Sequence, residues 1–212
     1  MHPPDCPQNW EYRQHTKVGI LADRCAKMLT SLRNGRVVID DSTRDTRASH
    51  EQLFTELTPP NSPCFAGHYR GEPFRCIEYY EVRIDGDPRV GVPAGRVAAD
   101  IANLADNIVR AGFSALKVGF SVPDSRLPPE EKLYYLVTFA CRVLVEFLRV
   151  HPYANGNGHM GRWIVWLILF KFGYWPQKWP LDTSPPYARL IELHRDGNPS
   201  PLESYVLDCV AG

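Results

Sequence analysis

The run "WIVWLILF", residues 163–170, is apolar at every position. A helix through it has no polar face to offer water, so other elements must wrap it on all sides. It is far shorter than the roughly 20 residues a membrane span needs. The reading is therefore a central core helix, closed by Gly173. Just before it lies "HPYANGNGHMGR", 151–162, with two histidines, two asparagines, three glycines and an arginine. A polar, flexible insert between two buried segments has to be either a plain turn or a site.

The segments around that helix read mainly as helices. "LPPEEKL" is a helix start, with proline and two acids in the first turn. Leu133, Val137, Ala140, Cys141, Leu144, Phe147 and Leu148 then recur at helical spacing. This helix should stop near Val150, because Pro152 disfavours an α conformation at His151. Residues 10–34 carry Ile20, Leu21, Cys25, Met28, Leu29 and Leu32 on one face, with "NGR" as the stop. Residues 45–57 predict another helix. A further one follows Pro93, with Val97, Ile101, Leu104, Ile108 and Val109 on its apolar face and Gly112 as its expected end. The tail, 184–207, reads as two short helices. In "CIEYYEVRI", 76–84, apolar and polar residues alternate, and "DGD" at 85–87 signals a turn, which predicts one β-hairpin. The fold class expected is mainly α with that hairpin.

The chain has 212 residues, which suits one domain with a short extra arm. Formal net charge is zero, so overall electrostatics favour neither nucleic acid nor an anionic membrane. The start, "MHPPDCPQNWEYRQ", lacks the apolar stretch of a signal peptide. The six cysteines are scattered, with no CxxC pair, and read as reduced thiols. The expectation is a cytoplasmic protein, or one delivered by a route that leaves no N-terminal signal.

The loop 151–162 has a specific chemistry open to it. Unpaired N–H groups at a helix start, together with the helix dipole, make an anion site. Gly156 and Gly158 let backbone approach a ligand. Asn157 can cap the helix. Arg162, one turn in, can reach back with a planar fork of donors. His151, at the loop entrance, can accept a proton near neutral pH. A P-loop is excluded, since no GK[ST] follows the glycines. A zinc site on His151 and His159 lacks an acid or cysteine at ligand spacing. The competing bland reading is a Gly/Asn-rich turn with both histidines solvated.

Taken whole, the stretch resembles the Fic family motif H-x-F-x-[D/E]-G-N-G-R-x-x-R. Here it runs His151-Pro-Tyr153-Ala-Asn155-Gly156-Asn157-Gly158-His159-Met-Gly-Arg162. "AGHYRGEP", the expected hairpin, "VPAGRVAADIANL" and "GNPSPLESYVL" fall in the family's order. The resemblance covers about residues 45–210. It implies a Fic-type helical bundle core with a β-hairpin flap over the active site, preceded by a helical arm, 1–44. It also implies transfer of AMP from ATP to a Ser, Thr or Tyr hydroxyl of a target protein, with Mg²⁺. By that resemblance His151 takes the hydroxyl proton, and Tyr153 holds the loop. Gly156, Asn157, Gly158, His159 and Arg162 bind the nucleotide, and Asn155 stands at the metal position. The flap, Ile77, Glu78, Tyr79, Tyr80, Glu81 and Val82, docks the target by strand addition.

Two positions carry less charge than the family pattern. Asn155 replaces the acid that binds magnesium, and His159 replaces the first motif arginine. These changes keep two other readings open: transfer of another phosphate-linked group, and a non-catalytic nucleotide- or protein-binding module. "TSLRNG", 30–35, resembles the family's inhibitory helix pattern [S/T]-x-x-x-E-[G/N], with Ser31 inside it and Asn34 at the glutamate position. There Asn34 stands where a glutamate would pair with Arg162. His68, Tyr69 and Arg70 read as structural loop residues, and Trp163, Trp166, Trp175 and Trp179 as packing.

Overall fold

The computed structural model describes residues 3, 5–7, 9–82 and 87–211. The elements are α1 (Ile20–Arg33), α2 (Ile39–Arg44), α3 (Arg47–Phe54), α4 (Val97–Asn103), α5 (Arg110–Ser121), α6 (Pro129–Val150), α7 (Asn157–Lys171), α8 (Ala188–Arg195) and α9 (Ser200–Ala211). The most extensive helix contact is between α6 and α7, and α9 covers the other side of α6. In α7 every residue from His159 to Leu169 is buried, as its uninterrupted apolar run requires. Trp10, Tyr12, Cys25, Met28 and Leu32 belong to the same apolar cluster as Leu144, Trp163 and Leu167, so residues before 45 share the core of the rest.

α6 ends at Val150 as Pro152 dictates, and His151 is left-handed, with φ 54° and ψ 60°. Gly112 does not end its helix. α4, a π-helical turn over Leu104–Val109 and α5 run on continuously to Ser121. Val97, Ile101, Ala105, Val109 and Phe113 are all buried. Positions four apart drift by about 40° per step around an α-helix. The wider π-turn offsets that drift, so both halves face the core. Gly112 serves close packing instead: a Cβ there would come within 2.0 Å of the Phe139 ring on α6.

The expected hairpin flap is corrected. No strand occurs among the described residues. The expected turn at 85–87 falls largely outside them. Residues 74–80 form tight turns, with the Ile77 and Glu78 N–H groups bonding Phe74 O and the Tyr80 N–H bonding Ile77 O. Ile77 and Tyr80 are buried three residues apart, while Tyr79 points outward. A strand would put 77 and 79 on one face. The backbone acceptor of Tyr80 is taken by Arg70 Nη1 at 3.1 Å, and the Ala94 N–H is taken by the Glu81 carboxylate at 3.1 Å. With side chains holding these groups, no ladder forms between the two segments.

The cysteine reading is also corrected in part. Cys6 and Cys76 form a disulfide with Cα atoms 5.4 Å apart, while Cys25, Cys64, Cys141 and Cys209 are free. No described helix is long and apolar enough to cross a membrane.

Candidate functional site at the start of helix α7

The loop between α6 and α7 is held by its own polar groups. The Asn157 side chain clamps Tyr153: its Oδ1 accepts from the Tyr153 N–H and its Nδ2 donates to Tyr153 O, both at 2.9 Å. The Tyr153 ring is buried, stacks on His50 at 3.7 Å, and its hydroxyl meets Thr46 Oγ1 at 2.7 Å. His50 in turn accepts from the Gly67 N–H at Nδ1. Its Nε2–H donates to Asn155 O, each at 3.0 Å. Burial pushes the His50 pKa down to about 3, so it holds the loop as a neutral ring.

Gly156 is left-handed, with φ 79°, and a Cβ there would come 2.4 Å from Phe54. Its missing side chain therefore makes room for the core rather than for a ligand. At Gly158 a Cβ would stand 3.2 Å from Arg162 Nη1, so the guanidinium reaches back to the first turn of α7. The N–H groups of Asn157 and Gly158 have no acceptor among the described residues, as expected for the first turn of a helix. Arg162 is fully buried. Its contacts are Leu181 O, at 3.4 Å from Nε and 3.0 Å from Nη2, and the Tyr187 hydroxyl, at 3.3 Å from Nη1. No carboxylate lies within ion-pair distance among the described residues.

His151 stands across the loop. Its Nδ1 lies 3.3 Å from Leu148 O, and its carbonyl accepts from Arg70 Nε at 2.9 Å. Burial first, then the charges of Arg70 and Arg195, lower its pKa to about 4. Arg70 is itself buried and donates to the carbonyls of His151, Tyr80, Val92 and Val150. It fixes the histidine's backbone from a distant loop. The charge of Arg70 is held by carbonyls rather than by a close ion pair, with Glu81 3.7 Å away. Burial lowers its pKa to about 10.

The two low-charge positions are both engaged. Asn155 Oδ1 accepts from the Gly156 N–H at 2.7 Å, and its Nδ2 donates to Trp10 O at 2.5 Å. His159 meets the Tyr12 hydroxyl at 3.4 Å through Nδ1 and Asp182 O at 3.3 Å through Nε2. Burial and the charge of Arg162 lower its pKa to about 3, so this ring is neutral. No group of three His, Cys, Asp or Glu side chains suited to a metal occurs among the described residues.

The structure thus brings His151, Asn155–Gly158, His159 and Arg162 to one loop and one helix start. The bonds of Arg162 among the described residues go to Leu181 O and the Tyr187 hydroxyl, with none to Asn34. Asn34 is exposed at the C-terminal end of α1, while the other end, Val18–Ala22, lines a cleft of about 510 Å³ with His159 and Asp182. Ser31 lies on the last turn of α1 and is likewise not among the bonding partners of the Arg162 guanidinium. Of the expected flap residues, Tyr80 reaches the site's surroundings by accepting the Trp10 N–H at its hydroxyl, 3.0 Å. Sequence reasoning missed His50, Trp10 and Tyr12. His50 lies mid-helix with no flanking signal, and the other two lie in an arm with no motif. Arg70 stood inside "AGHYRGEP", which marked the segment but not the residue's four carbonyl partners.

No family model matches the chain. Over 73 residues, 34% of its length, the sequence is 26% identical to the protein adenylyltransferase Fic of Drosophila melanogaster and to that of Drosophila virilis. Those residues amount to 15% of the length of each of these relatives. The likeness supports a Fic-like relationship at that coarse level.

Proposed function

We propose that the loop and first turn of α7 form a Fic-like nucleotidyl-transfer site, moving AMP from ATP to a hydroxyl side chain of a protein. The observation that carries this reading is Arg162, buried with no carboxylate partner among the described residues and beside two N–H groups with no acceptor among them. A buried charge held only by neutral acceptors is costly, and a bound anion offsets that cost. In this reading the Asn157 and Gly158 N–H groups and Arg162 hold the phosphates. His151, with Nδ1–H directed at Leu148 O, keeps the Nε2 lone pair for the target hydroxyl. That hydroxyl gives its proton to Nε2 as its oxygen attacks the α-phosphorus, and the bond to pyrophosphate breaks. Positioning and charge neutralisation carry such a transfer more than covalent participation by the protein.

The described residues do not fit a protein-held magnesium ion. Asn155 is a neutral amide with both ends engaged, and no carboxylate takes its place. The neutrality of Asn155 and His159 also favours a second reading, in which a different phosphate-linked group is transferred. ATP labelled at the α- or the γ-phosphate separates the two. Protein label from the α position alone means AMP transfer, and label from γ alone means phosphoryl transfer. His151→Ala should abolish either, and labelling that survives it removes His151 from the chemistry.

A further inference from the structure

Residues 9–14 run alongside the candidate phosphate loop. Trp10 O accepts from Asn155 Nδ2, and the Tyr12 hydroxyl meets His159 Nδ1. The Tyr12 ring lies edge-on to the His159 imidazole at 5.6 Å and to Phe54 at 5.0 Å. So this one segment occupies the two side chains at which the loop carries less charge than the Fic motif. It is fastened at both ends. Cys6 is bonded to Cys76, and Asp5 pairs with Arg75 beside it. At the other end the chain passes into α1. Trp10 also donates its Nε1–H to Leu57 O and its N–H to Tyr80.

We propose that residues 5–7 and 9–14 are a strap over this loop, latched by the Cys6–Cys76 disulfide and released when a thiol reductant opens that bond. The proposal rests on the reading of the loop as a phosphate site. In the step, the S–S bond takes up two electrons and two protons to give two thiols, and two reductant thiols leave as a disulfide. With both anchors in place the strap docks as a doubly tethered segment, at high effective concentration. With one anchor cut, docking depends on Trp10, Tyr12 and their few bonds. When the strap lifts, the Asn155 amide is freed, and the cleft lined by Tyr12, Arg13, Gly19, His159, Asp182 and Ser184 is widened at its Tyr12 wall.

The test uses the full chain, oxidised and after dithiothreitol, with Cys6→Ser as the permanently unlatched form. Peptide mapping without reductant should recover Cys6 linked to Cys76. On reduction, amide exchange at residues 9–14 should accelerate by about 10-fold or more, while α6 and α7 stay protected. ATP should then bind about 10-fold more tightly. Cys6→Ser should show both changes without reductant. Absence of the linked peptide, or unchanged exchange at 9–14, overturns the latch. Exchange that rises equally in α6 and α7 also overturns it, because the bond is then a general tie of the fold. Faster exchange at 9–14 with unchanged ATP affinity leaves the latch standing and overturns the phosphate-site reading instead.

Discussion

The loop 151–156 and the segment 71–82 are both irregular, yet their local bonds are of different kinds. In the loop side chains close the local bonds, Asn157 to Tyr153 and Asn155 to Gly156, and His50, Thr46, Trp10 and Arg70 support it from outside. In the segment the local bonds are backbone turns, Gly71 to Ile77, Ile77 and Glu78 to Phe74, and Tyr80 to Ile77, while its remaining ties run elsewhere, to Trp10, Arg70, the Ala94 N–H and Cys6. Local bonds between residues a few positions apart make a shape that a motif can encode. Bonds to residues tens of positions away leave no such pattern. The Arg70 side chain grips both regions.

Removing that shared grip should have the largest effect. Arg70→Ala removes the guanidinium's hydrogen bonds to four carbonyls, of which Val150 O keeps the Val92 N–H, and should cost about 4 kcal/mol, read as a drop of about 10 °C in the melting midpoint. A smaller drop would mean that the loop and the segment hold without it. Gly156→Ala strikes the loop alone. It forces a side chain into left-handed backbone and against Phe54, and should cost about 3 kcal/mol in denaturant melts.

Acid should loosen the loop's outside support next. His50 has a folded pKa of about 3 against an ordinary 6.5, so the unfolded chain takes its proton first as pH falls. Its contribution is complete above pH 6.5 and is lost between 6.5 and about 3. The slope is about 1.4 kcal/mol per pH unit. His50→Gln, which keeps a donor and an acceptor, should flatten that slope in melts run across this range. Tyr80→Phe probes the segment alone. It removes the acceptor for the Trp10 N–H and should cost about 1 kcal/mol. A loss near that of Gly156→Ala would place the segment on an equal footing with the loop.

What was legible in advance follows the same division. The 3.6-residue pattern and Pro152 were enough for α6, its end at Val150, and α7 with its polar forerunner. Gly112 misled, because its purpose is the Phe139 ring on another helix, which no window of neighbouring residues contains. The alternation at 76–84 resembled a strand, but Ile77 and Tyr80 are buried at turn spacing once Arg70 and the Glu81 carboxylate take the backbone groups. The Cys6–Cys76 pair spans 70 positions and has no spacing rule to betray it. Within the candidate site, the clustering of His151, Gly158 and Arg162 was readable from one motif. The neutral state of His159 and the engagement of Asn155 by Trp10 needed the packed surroundings.

The π-helical turn at Leu104–Val109 holds one residue more than an α-helical turn covering the same arc. That surplus is an allowance for insertion and deletion inside an otherwise rigid rod. Asn107 lies in the turn and is exposed, with its side chain bonded only to Asn103 one turn back. Deleting it should restore plain α-helix while Phe113 and Leu116 keep facing inward, at a cost below about 1 kcal/mol. A helix with such a turn can lengthen or shorten by one position without breaking into a loop.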